Sequence, residues 1–158
     1  MGAELRRDKR IETNLPVELI LREGVDGPVL AGPVAGFLND VSLYGARFTV
    51  SEIHIEQYHI FYSCHDNPSL VVSLEIKYPS DNEDAFSVPV RPVWFDRILM
   101  EGVKEKPFQI GGEFLIGPGD EHIVRLKKMI SEKKQEQGGW FSKFLHGFTA
   151  DSSNSGDK

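Results

Sequence analysis

Every second residue between positions 70 and 78 is apolar, so that Leu70, Val72, Leu74, Ile76 and Tyr78 share one side of an extended chain and Ser73, Glu75 and Lys77 the other. This period of two recurs down most of the sequence and constrains the fold more than any other feature. A half-buried strand carries hydrogen-bonding backbone on both flanks and needs a neighbour on each. Leu15, Val17, Leu19 and Leu21 alternate within 13–21, with Pro16 placing that strand at an edge or near its own start. Residues 24–36, rich in Gly and Pro, turn the chain and return it to the sheet. Ala46, Phe48 and Val50 mark a third strand, and Tyr58, Ile60 and Tyr62 a fourth. Pro89 and Pro92 predict bulging within 87–99, and a turn at 102–107 leads to a last strand over 108–115. Six or seven short strands with no helix among them predict a mainly β fold, a closed or nearly closed antiparallel β-barrel.

Helical spacing appears only after Pro118, where Ile123, Leu126 and Ile130 form one stripe between a capping Asp120 and the stop signal Gly138-Gly139. Lys127, Lys128, Lys133 and Lys134 suit the C-terminal half of that helix. Trp140, Phe141, Phe144, Leu145 and Phe148 then share one face of a short helix that must fold onto something, either the barrel or the preceding helix, or a protein partner or membrane surface. The organisation expected is an N-terminal arm at 1–12, read as flexible, a barrel at 13–117, a helix at 118–137, an amphipathic aromatic segment at 140–148 and a disordered polar tail at 149–158.

At 158 residues, 40% hydrophobic and 27% charged, the chain has the composition of a soluble protein with one principal core. No run approaches the ~18 apolar residues of a spanning helix. The charged start is unlike a secretory signal, so the expected location is the cytoplasm, with peripheral association at the inner membrane through 140–148. The single cysteine, Cys64, reads as a small buried hydrophobe. His54, His59, His65, His122 and His146 lack the spacing of zinc motifs, and Cys64-His65-Asp66 are sequence neighbours, unlike a catalytic triad assembled by a fold. Trp94 reads as core, with a ring bordering a ligand's base as the lesser alternative, and Gly111-Gly112 as a bulge or close backbone packing. No enzyme activity and no cofactor are expected.

Two polar features stand apart from the alternation. Between positions 39 and 48, Asp40 and Ser42 point the same way in extended chain, and Gly45 permits positive φ or close approach of a ligand to the backbone. Upstream, Arg6-Arg7-Asp8-Lys9-Arg10 gathers four of the 18 Lys and Arg residues in a chain of net charge −6, a local excess suited to an anion. Taken singly, the first is an ordinary turn that satisfies its own backbone and the second a solvated charge run.

Together the two features resemble the PilZ domain, whose signature is R-x-x-x-R in an N-terminal arm followed by [D/N]-x-S-x-x-G at a strand-to-strand turn. Arg6 with Arg10, and then Asp40, Ser42 and Gly45, match it. The resemblance runs from about residue 5 to 117 and includes the closing strands around Val93-Trp94-Phe95 and Phe108 to Phe114. It implies a bacterial receptor for cyclic diguanylate (c-di-GMP). In that reading Arg6 and Arg10 meet the guanine O6 and N7 acceptors, Asp40 accepts from the N1–H and N2–H donors, Ser42 reaches a phosphate oxygen, and Arg7 is a further candidate. Leu5 before the first arginine favours one ligand per chain. Two alternatives remain: a PilZ-like adaptor that binds a protein without nucleotide, and a single-stranded nucleic-acid-binding barrel. The acidic net charge opposes the latter, so no nucleic acid polymer is expected as partner.

Overall fold

The computed structural model describes residues 10–77, 85–98 and 106–132. The strands are β1 (Ile11–Glu23), β2 (Val29–Val41), β3 (Gly45–Val50), β4 (His54–Ile55), β5 (Tyr58–His59), β6 (Leu70–Ile76), β7 (Phe86–Arg97) and β8 (Phe108–Phe114). A five-residue helix, α1 (Tyr62–Asp66), lies between β5 and β6, and residues 121–132 form α2. Six strands close an antiparallel barrel in the order β1-β2-β3-β8-β7-β6, while β4 and β5 pair only with each other.

The alternation accounts for the barrel's inside. Leu15, Val17, Leu19 and Leu21 of β1 are buried, as are Phe48 of β3, Leu74 of β6, Val88 and Val90 of β7 and Ile110 of β8. Full burial of each such side chain stabilises the fold by ~1.5–3 kcal/mol. Pro16 is tolerated in a closed barrel because β1 pairs with β6 only from Glu18 onward, leaving the chain near Pro16 bonded to β2 alone. β1 also begins at Ile11, two residues before the sequence pattern places it.

Between β3 and β6 the expectation fails. In place of one strand through Tyr58, Ile60 and Tyr62, the chain makes the β4–β5 hairpin and then α1. The buried apolar residues here, Ile53, Ile55, Ile60 and Cys64, follow neither a strand nor a helix period, and Tyr62 is exposed. On β6, Val71 and Ser73 are buried along with the inner set, so this strand is covered on both faces.

The helix after Pro118 forms as its stripe predicts. Asp120 accepts a hydrogen bond from the His122 N–H at 2.8 Å, which caps the N-terminus. Ile123, Leu126 and Ile130, joined by Met129, enter the same core cluster as the barrel interior. No helix among the described residues is long and apolar enough to cross a membrane. Arg6, Arg7 and the 140–148 segment with its five apolar residues lie outside the described residues.

Candidate ligand-binding site

Two bulges build the site. Leu38 of β2 faces Phe48 of β3, and both point into the core. Strict alternation would send Asp40 inward as well. A register shift between Leu38 and Asp40 instead sets Asp40 opposite Arg47, a residue of the outer face of β3. On β7, Val88, Val90 and Pro92 are buried, and a second register shift between Pro92 and Trp94 turns both Val93 and Trp94 outward. Asp40, Arg47, Gly111 and Trp94 thereby form one cross-strand row over the adjacent strands β2, β3, β8 and β7.

Within the row Asp40 is fully buried, and each carboxylate oxygen has its own guanidinium. Arg10 donates from Nη1 to Oδ1 at 2.9 Å, and Arg47 donates from Nε to Oδ2 at 2.5 Å. Arg47 Nη2 also pairs with Oδ2. The arginine side chains remain 55% and 37% exposed, so solvent screens both pairs and each contributes on the order of 1 kcal/mol or less to stability. Their larger effect is geometric. A guanidinium has five N–H donors in a planar fork, and Asp40 fixes the two forks while using only part of each.

At the far end of the row the Trp94 indole lies against Gly111, where a Cβ would sit 2.1 Å from the indole Nε1. Only glycine leaves room for that ring, which remains 39% exposed. Gly45 is required for a different reason from those its sequence suggests. Positive φ occurs at Gly24 and Gly32 and not at Gly45, but a Cβ at Gly45 would meet the Gly112 carbonyl oxygen at 2.3 Å. Close approach of β3 to β8 dictates this glycine. Ser42 closes the β2–β3 turn, its Oγ accepting from the Gly45 N–H at 3.2 Å and the Tyr44 N–H at 3.4 Å.

These residues surround a cleft of about 340 Å³. Arg10 and Arg47 line it together with Ser42, Tyr44 and Gly45 from the β2–β3 turn, and Trp94, Gly111 and Glu113 complete it from β7 and β8. Of the sequence candidates, Arg10, Asp40, Ser42 and Gly45 come together here. Asp40 does so beneath the arginines, not open to solvent as a free acceptor. Arg47, Tyr44, Glu113 and Trp94 are additions. Arg47 was legible, since the inward set Ala46, Phe48 and Val50 puts it outside; Trp94, read as core, was hidden by the β7 bulge.

A second polar and aromatic cluster lies at the β4–β5 hairpin. His59 Nδ1 accepts from the N–H groups of Phe61 at 3.1 Å and Tyr62 at 2.9 Å, and the His59 N–H donates to Ser63 Oγ at 2.9 Å. The exchange resembles a capping box with imidazole as the acceptor. It requires Nδ1 to carry no proton, and burial, followed by the nearby His54, lowers the His59 pKa below its ordinary value. The ring packs against His54, Tyr62 and Phe95 at centroid distances of 5.1, 4.5 and 5.2 Å. On α1, Cys64 is 1% exposed, and burial raises its thiol pKa to about 11. Among the described residues no group of three or more His, Cys, Asp or Glu side chains is placed to hold a metal ion.

No family model and no curated protein matches the chain by sequence. Among solved structures, it superposes on the PilZ domain of YcgR from Escherichia coli, a structure with c-di-GMP, with a TM-score of 0.53 at 15% identity, covering 85% of this chain and 95% of that one. It also matches the PlzA protein of Borreliella burgdorferi in complex with c-di-GMP, with a TM-score of 0.48 at 15% identity, covering 85% of this chain and 55% of that one. The chain has the fold of a PilZ domain, a closed six-stranded antiparallel barrel with a helix following its last strand.

Proposed function

We propose that this chain is a receptor for c-di-GMP that acts as a binding module and not as an enzyme. The observation that carries the reading is the outer row, in which a buried Asp40 aims two partly exposed arginines at a cleft bordered by a partly exposed indole. Arg10 and Arg47 suit the O6 and N7 acceptors of guanine or the phosphate oxygens, and the indole suits a purine face. Asp40 acts through the arginines as a positioning residue. Arg6 adds a further fork from the arm, and Ser42 and Gly45 hold the turn that shapes the cleft. Formally, Asp40 offsets one of the two arginines and Glu113 at the cleft edge offsets the other, so a ligand with two phosphates is held by directed hydrogen bonds from the forks and by the further positive charge of Arg6. Binding is then passed to a protein partner or membrane surface through Trp140, Phe141, Phe144, Leu145 and Phe148, a step that rests on the sequence alone.

Calorimetric titration with c-di-GMP is the test. Micromolar binding is expected, and Arg10→Ala or Arg47→Ala should weaken it by ~1–3 kcal/mol, the range for a lost bidentate guanine contact. No heat at high micromolar ligand, or equal affinity for cyclic diadenylate, overturns the reading.

A further inference from the structure

Guanine presents two edges of opposite character. O6 and N7 accept hydrogen bonds, whereas N1–H and N2–H donate. Arginines serve only the first edge, because a guanidinium has no acceptor. A site that distinguishes guanine from other purines through the second edge needs a carboxylate or carbonyl. Asp40 is poorly placed for it, being fully buried with Arg10 on one oxygen and Arg47 on the other.

Among the described residues Glu113 is the other carboxylate at the cleft, and it is exposed. It stands two residues beyond Gly111 on β8, hence on the same outer face as the Asp40–Arg47–Gly111–Trp94 row and about 7 Å further along the strand. Its register partner on β3 is Gly45, which has no side chain to engage it. Its partner on β7 is Arg91, whose Nη2 donates to the Pro68 carbonyl at 3.1 Å. The Glu113 carboxylate has no hydrogen bond or ion pair to any other described side chain. A carboxylate uncommitted among the described residues, beside two arginines, weakens attraction for phosphate, so its chemical use there is recognition of a donor pair.

We propose that Glu113 is the specificity-determining residue of the cleft, its carboxylate accepting N1–H and N2–H of one guanine while an arginine holds the opposite edge. The inference rests on the c-di-GMP reading and adds to it the residue that selects the base. Adenine is rejected because its N1 is an acceptor and would face the carboxylate. Hypoxanthine keeps N1–H but lacks the 2-amino group, so it forfeits one of the two bonds.

The test compares c-di-GMP with cyclic diinosinate on the full chain, using wild type, Glu113→Ala and Glu113→Gln. Wild type should prefer the diguanylate by about tenfold, the equivalent of ~1.4 kcal/mol. Glu113→Ala should bring the two ligands within about twofold of one another while still binding both. Glu113→Gln, which keeps one acceptor, should fall between. Loss of the negative charge alone raises affinity for both ligands equally and leaves their ratio unchanged. A preference in Glu113→Ala as large as in wild type, or no preference in wild type, overturns the role of Glu113 and leaves the receptor reading standing. No binding of either ligand by wild type overturns both.

Discussion

The turn around His59 and the row from Asp40 to Trp94 are both polar and aromatic patches on the outside of one barrel, and they differ in what folding leaves uncommitted. At His59 the acceptor and donor are matched within the turn: Nδ1 takes two backbone N–H groups, Ser63 Oγ takes a third, and the imidazole packs among Tyr62, Phe95 and His54. In the row, Asp40 is the saturated member, while Arg10 and Arg47 keep donors to offer and the indole stays partly exposed beside a cleft. Aromatic and titratable residues clustered together do not by themselves mark a site. What sets the row apart is unused hydrogen-bonding capacity held in place by a buried partner.

Breaking each region should therefore give a different pairing of stability and binding. The largest effect is expected from Gly45→Val, because its Cβ meets the Gly112 backbone, which cannot swing aside; a loss of ~3 kcal/mol in denaturant unfolding matches the upper range for overpacking. Gly111→Ala sharpens the comparison. Its Cβ meets a side chain, the Trp94 indole, which can rotate away, so unfolding should change by less than ~1 kcal/mol while c-di-GMP affinity falls by about tenfold. Asp40→Ala should destabilise by ~1–2 kcal/mol, in keeping with two screened ion pairs, and weaken c-di-GMP by releasing both forks.

His59→Ala removes the acceptor for two backbone N–H groups and should cost ~1 kcal/mol, with c-di-GMP affinity unchanged; His59→Asn, which restores an acceptor, should recover most of the loss. A lowered His59 pKa also gives the sign of a pH effect. Above the ordinary value near 6.5 the imidazole is neutral folded and unfolded, and its contribution is complete. As pH falls below that value the unfolded chain binds the proton first, so stability declines toward the folded-state pKa. Urea midpoints of wild type should drop across this acidic window more steeply than those of His59→Asn. The smallest change is expected at Phe37, 46% exposed on β2, where Phe37→Ser should shift unfolding by less than ~0.5 kcal/mol and leave binding alone.

The barrel was legible because most of its strands keep a strict period of two, and the inward sets of β1, β3 and β6 can be read from the residues. The helix after Pro118 was legible from Ile123, Leu126 and Ile130 together with the Asp120 cap. Where alternation is interrupted, reading stops. The bulges at Asn39 and Val93 each add one residue, and one residue is enough to exchange inside for outside. That exchange carries Trp94 from the expected core to the cleft and aligns Asp40 with Arg47. The stretch from Ile53 to Cys64 has no single period, since it is a hairpin followed by one helical turn, and only contacts with the rest of the barrel decide which of its apolar residues are buried.

The central claim is that the row, and not the His59 turn, is the ligand face. It is tested most directly by following backbone amide and indole N–H resonances of the full chain during titration with c-di-GMP. The account predicts shifts concentrated at Arg10, Arg47, Gly111, Gly112 and the Trp94 indole, with His59, Tyr62 and Ser63 unmoved. Shifts centred on His59 and Tyr62, or none in the row at saturating ligand, would contradict it.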